Sequence, residues 1–213
     1  MDKKVVDNKS KILTYNINDV APYINWAYFF YAGSMNGKAK NAQKELQKEA
    51  EDMLAKMNEK YHTHAVFALC EANSDGDDII VKGTRIPMLR QQKAVPGKPN
   101  LCLSDFLRPL SSGIKDTLGL FATSVDAALT DDFEDDTYLR MLSQTLADRL
   151  AEATAEKMHE DIRRKYWGYA PEEQLTLREL FAEKYQGIRP AIGYPSLPDT
   201  SVNFLLAELL DMT

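Results

Sequence analysis

Arg189 and Tyr194 stand in the decapeptide QGIRPAIGYP at 186–195, a stretch with two prolines and two glycines that cannot form a helix. Pro190 biases Arg189 towards an extended backbone, and Pro195 does the same to Tyr194. Gly193 permits a φ that other residues avoid, or the close approach of a ligand. Such a ribbon offers its amides and carbonyls to a small molecule. An arginine at one end can hold a carboxylate in a fork, and a phenol at the other can stack on a second part of the ligand or hydrogen-bond to it. The same residues also read as a proline-rich turn joining two helices, with Arg189 capping a helix carbonyl.

The chain that must position these groups has 213 residues, 44% hydrophobic and 27% charged, with a net charge of −6. That length suits one large domain or two small ones and supports a real core. An acidic balance argues against nucleic acid, which needs a basic footprint to displace counterions. No apolar run approaches the ~20 residues of a membrane span, and the opening MDKKVVDNKSKIL has no apolar signal region, so the expected place is the cytoplasm. Cys70 and Cys102 are too few for a disulfide scaffold and match no metal spacing; they read as reduced, partly buried thiols.

Residues 39–60 are rich in strong helix formers, and Leu46, Ala50, Met53, Leu54 and Met57 recur at spacings of three and four. Two β-like runs follow at 64–72 and 77–83, joined by Asn73-Ser74-Asp75-Gly76, a hairpin signal. Residues 84–116, with prolines at 87, 96, 99 and 109, read as a long irregular connection, and 117–125 as a strand. The longest helix is expected from Thr137 to Trp167, with a stripe of Leu139, Leu142, Leu146, Leu150, Ala153, Met158 and Ile162. TLRE at 176–179 fits a capping box, opening a helix that ends near Tyr185 with Gly187 as its terminal glycine. A last helix covers about 201–211. Helices beside hairpin-linked strands give an α+β class, with a twisted, mostly antiparallel sheet flanked by long helices.

The stretch TLADRLAEATAEKMHEDIRRKYWGYAPEEQLTLRELFAEKYQGIRPAIGYP at 145–195 resembles the activation domain of cobalamin-dependent methionine synthase. Fainter likeness extends forward through YINWAYFF (23–30), DDI (77–79), LRQQ (89–92) and CLSDF (102–106), in the same order. The resemblance implies one activation-like domain over 1–213 that binds S-adenosylmethionine and docks on a cobalamin-carrying domain or protein. A one-electron donor such as flavodoxin reduces cob(II)alamin, and the sulfonium methyl then restores methylcobalamin. No turnover is expected of the chain alone.

By the same resemblance, Arg189 matches the arginine that holds the methionine carboxylate. Ala191 lies where backbone groups meet the ligand, and Tyr194 is the tyrosine of the GYP motif. Glu152 and Glu183 match ligand-side glutamates, which suits a ligand carrying an ammonium and a sulfonium. Asn25 stands where the family carries an aspartate; its amide can accept a hydrogen bond but brings no charge, and it also suits a cap for a helix starting at Trp26. After GYP the family runs to a histidine facing the corrin, and here that place holds Thr200. The chain stops at Thr213, before the family's Ser-Val-Ser-Gly stretch and a further ligand tyrosine. These departures keep open a second reading, a docking or regulatory module for a corrinoid protein that donates no methyl group.

Other clusters carry less. His62 and His64 face one side of a strand but lack a third ligand at a supporting interval. The acidic run at 131–136 lacks the spacing of a calcium loop and fits the leader of a helix. Ser111, Ser112 and Gly113 have no triad-like context, and no phosphate-cradling glycine loop is present.

Overall fold

The computed structural model describes residues 6–32, 39–93, 95–133 and 135–212; Glu134 of the acidic run and the first five residues of the N-terminal segment lie outside them. A five-stranded sheet is built from β1 (Lys11–Asn16), β2 (His62–Asp75), β3 (Asp78–Val81), β4 (Thr84–Pro87) and β5 (Asp116–Val125). The strand order is β1-β2-β3-β4, and β5 also pairs with β2. The pairs β2–β3 and β3–β4 are antiparallel, in registers that set Asp75 opposite Asp78 and Val81 opposite Thr84. Helices beside an antiparallel sheet are the α+β arrangement expected.

Contacts divide the chain into two compact units. One comprises Met1–Lys11, Val66–Phe121 and Gly187–Thr213, the other Ile12–Ala65 and Ala122–Gln186; β2 and β5 run through both.

The second unit is mainly helical: α1 (Ile17–Val20), α2 (Trp26–Ala32), α3 (Lys40–Asn58), α4 (Ala128–Asp131), α5 (Thr137–Asp161) and α6 (Leu177–Phe181). Asp136 starts α5, its carboxylate accepting from the Tyr138 and Leu139 amides at 2.9 and 3.0 Å. That is the acidic leader expected, now resolved to one capping residue. The 25 residues of α5 span about 38 Å at ~1.5 Å each. Its predicted stripe is buried from Leu142 to Met158, with Leu139 only partly so. Around it pack Ala50, Met53, Leu54 and Met57 of α3, with Ile17, Val20, Phe29 and Leu129 from the shorter helices, making one apolar core. Burial of that area is the main stabilising term for this unit.

The α-helix does not continue to Trp167 as expected. It passes into a π-helical turn at Ile162–Tyr166, after which the Trp167 and Gly168 amides donate to the Ile162 carbonyl at 2.9 and 3.2 Å. The capping box at Thr176 and Glu179 forms. The helix it opens is shorter than expected, because Ala182 closes it and Glu183 turns to a left-handed φ of +54°.

In the other unit, the expected four-residue hairpin loop shortens to Gly76-Asp77: β2 runs on to Asp75, and Gly76, at φ +62°, begins the turn. β3 and β4 are joined by Lys82-Gly83, both at positive φ (+50° and +82°), the geometry of a two-residue hairpin. The segment 84–116 is therefore not an irregular connection throughout. Beyond β4 it is held by side chains: Arg90 bridges Asp77 and Asp105 at 2.6 and 2.7 Å, and the buried Asn73 amide donates to the Arg108 and Ile114 carbonyls at 3.0 and 2.8 Å. The Arg90 hydrogen bond draws the Asp105 carboxyl down to about 2. α7 (Val202–Leu209) follows the decapeptide. Cys70 and Cys102 are buried free thiols, not joined in a disulfide.

Candidate functional site

The decapeptide is extended and then closes on itself. Gly193, at φ +90°, donates its N–H to the Leu197 carbonyl at 2.8 Å, and Leu197 donates to the Tyr194 carbonyl at 2.8 Å. Pro195 thus occupies the first corner of a tight turn, where its fixed φ is suited. Leu197 is buried and anchors the turn, while Tyr194 is 60% exposed. The Tyr194 N–H reaches the Ala191 carbonyl at 3.4 Å, and among the described residues no backbone carbonyl takes the Ala191 N–H. Arg189 is half-buried. The ribbon therefore presents a guanidinium, a main-chain amide and a phenol along six residues, with its Gly193–Leu197 end closed by backbone hydrogen bonds. Thr200 approaches Gly193: a Cβ there would lie 3.7 Å from the Thr200 methyl.

The other three sequence-predicted residues belong to the helical unit and stand on three separate elements. Asn25 heads α2, and its Oδ1 accepts from the Ala27 N–H at 3.2 Å, the capping role foreseen for it. Glu152 lies on an exposed face of α5, 54% exposed and ion-paired with Arg149 at 2.9 Å; such a surface pair adds little stability. Glu183 is exposed, in the left-handed conformation just past α6.

None of the six lines the cleft of about 290 Å³ in the sheet-bearing unit, whose walls include Asn8, Glu71, Asn73, Lys82 and Lys115. The charged groups of that cleft already serve the fold. Lys82 donates to the Leu209 carbonyl at 2.9 Å, and Lys115 pairs with Glu71. The ribbon chemistry is therefore a better guide to the site than the cleft.

Among the described residues, no cluster of three His, Cys, Asp or Glu side chains could hold a metal ion. Asp126 joins the histidine pair instead, accepting from His64 at 2.8 Å and from the His62 backbone N–H at 2.8 Å. The His64 hydrogen bond holds its carboxyl below the usual range. Among the described residues, no helix is long and apolar enough to cross a membrane.

The model of the vitamin B12-dependent methionine synthase activation domain family matches residues 16–213. The chain belongs to that family. Among solved structures, the crystal structure of the MetH reactivation domain bound to AdoHcy agrees with a TM-score of 0.88 at 37% sequence identity, over 99% of this chain and 73% of that one. The activation-domain fold expected from the RPAIGYP and YWGYAP motifs is thereby established.

Sequence reading missed the surroundings of Arg163. A basic run of three, Arg163-Arg164-Lys165, looks like a solvated helix end, yet the Arg163 side chain is wholly buried. A long helix closing on YWGYAP, which must reverse the chain within a few residues, was the available signal.

Proposed function

We propose that this activation domain binds S-adenosylmethionine and supports the reductive remethylation of cob(II)alamin to methylcobalamin on a cobalamin-dependent methionine synthase, in cis or in trans, in the cytoplasm. The observation that carries the reading is the near-complete match to a reactivation domain bound to AdoHcy. The arginine–amide–phenol ribbon gives it a chemical basis in this chain. Arg189 forks onto the methionine carboxylate, the Ala191 N–H donates to a ligand oxygen, and Tyr194 lies against the nucleoside portion. Glu183 and Glu152 supply negative charge to the ammonium and sulfonium, and Asn25 supplies a neutral amide. Cobalamin, carried by a partner domain or protein, provides the cobalt that accepts the methyl group once a one-electron donor such as flavodoxin has reduced it. The domain itself contributes binding and orientation.

A second reading has its own support: Asn25 is used as a helix cap and Glu152 is paired with Arg149. It makes the chain a docking or regulatory module that donates no methyl group. The test mixes the chain with a cob(II)alamin-loaded methionine synthase fragment, a reductant and S-adenosylmethionine. The first reading expects loss of the cob(II)alamin absorbance with matching release of S-adenosylhomocysteine. Association with the fragment without S-adenosylhomocysteine above the chain-free control establishes the second.

A further inference from the structure

The segment carrying Glu183 is held by a buried cation to which the reading above gives no task. Arg163 has no exposed surface. Its Nε donates to both Glu173 oxygens at 3.1 and 2.9 Å, and its Nη2 donates to Oε1 at 2.5 Å. The guanidinium carbon lies 4.5 Å from the centre of the Tyr185 ring, a cation–π contact. His159 meets the same ring edge-on at 4.8 Å. Backbone and phenol complete the enclosure: the Ala170 N–H donates to the Arg163 carbonyl at 3.0 Å, and Tyr169 Oη donates to the Gln186 carbonyl at 3.1 Å.

Two features set this apart from an ordinary ion pair. Arg163 sits within the π-helical turn, a costly irregularity that recurs at functional sites. Its Nη1 is also buried without a hydrogen-bond partner among the described residues. A buried pair only offsets its desolvation when fully satisfied, so this one is a poor device for stability alone. What it immobilises is Tyr185, two residues after Glu183 and directly before the ribbon opens at Gln186. Glu183 is itself a non-glycine residue at φ +54°, a conformation that persists only when its surroundings impose it.

We propose that Arg163 is a positioning residue for the methyl donor: with Glu173 and Tyr185 it fixes residues 183–186 so that the Glu183 carboxylate is held in one orientation. This rests on the reading of Glu183 as a ligand-side carboxylate. Lysine at 163 keeps the charge but cannot reproduce the fork or the flat stacking surface. The test measures S-adenosylhomocysteine affinity by calorimetry, together with the thermal midpoint, for the wild type, Arg163→Lys, Glu183→Gln and the double variant.

Arg163→Lys is expected to raise Kd on the order of tenfold in the wild-type background and less than about twofold beside Glu183→Gln, since two changes on one route do not add. A general packing role predicts the same fold-change in both backgrounds, and that result, or an unchanged Kd, overturns the proposal. Where Arg163→Lys does not fold, Tyr169→Phe takes its place, with an expected rise of about threefold that also disappears beside Glu183→Gln. A wild type that binds no S-adenosylhomocysteine takes down the donor reading itself. A wild type that binds while the variants match it takes down only the role of Arg163.

Discussion

The Gly193 N–H meets the Leu197 carbonyl at 2.8 Å, tying the exposed RPAIGYP ribbon to a buried leucine. This hydrogen bond converts a proline-stiffened strip into a fixed loop. The φ of +90° at Gly193 is what allows the amide to point that way.

Gly193→Ala therefore costs backbone strain more than space, since the new methyl would find only ordinary contact with Thr200. A destabilisation of about 1–2 kcal/mol is expected, with weaker S-adenosylmethionine binding, measured by urea unfolding and calorimetry on the same variant. Full stability together with wild-type affinity contradicts a fixed ribbon.

Asn25 tests whether the missing charge matters. Aspartate caps a helix as well as asparagine does, so Asn25→Asp is expected to leave the unfolding midpoint unchanged. It should tighten S-adenosylmethionine binding roughly tenfold through one restored charged contact. Equal affinity in the two proteins removes position 25 from the ligand.

Asp136→Ala removes the residue that caps α5 through two backbone amides. The loss is expected at about 1 kcal/mol, read by chemical denaturation, and no change would mean that the first turn is satisfied by other groups.

Acid should weaken the helical unit through Asp161 and Glu160. Burial pushes the Asp161 carboxyl up, but hydrogen bonds and charge from Lys157 and Lys165 outweigh it and hold it below its ordinary 3.8. Glu160 likewise is raised by burial and lowered further by Tyr23 and Arg164, ending below its ordinary 4.5. A depressed folded value means stability that is fully present above the unfolded value and lost as pH falls through the folded one. Wild-type stability should thus fall below about pH 4.5, and less steeply in Lys157→Met, where one depressing charge is gone. Parallel pH profiles contradict this assignment.

Periodicity made the helical core legible. The leucine stripe of α5 and the methionine-rich face of α3 are buried where their spacing placed them. β1 was not legible, because KILTYN mixes charge with apolar residues and leaves Ile12 75% exposed. β4 was hidden among prolines. Its signal was Lys82-Gly83 between IIV and TRIP, a two-residue turn whose first position is an unfavourable place for lysine. α6 ended early for a reason no propensity records, the left-handed turn at Glu183. The ligand ribbon was legible as chemistry because arginine, tyrosine and the Pro/Gly punctuation are local. The buried fork of Arg163 was not, since its partners lie ten and twenty-two residues away and its neighbours advertise a solvated surface.

The most direct measurement is a calorimetric titration of the chain with S-adenosylmethionine beside an Arg189→Ala control. Saturable binding in the micromolar to sub-millimolar range, lost in the variant, is the predicted result and makes the ribbon the cradle of the methyl donor. Absence of binding at millimolar ligand in the wild type, or equal binding in the variant, contradicts it.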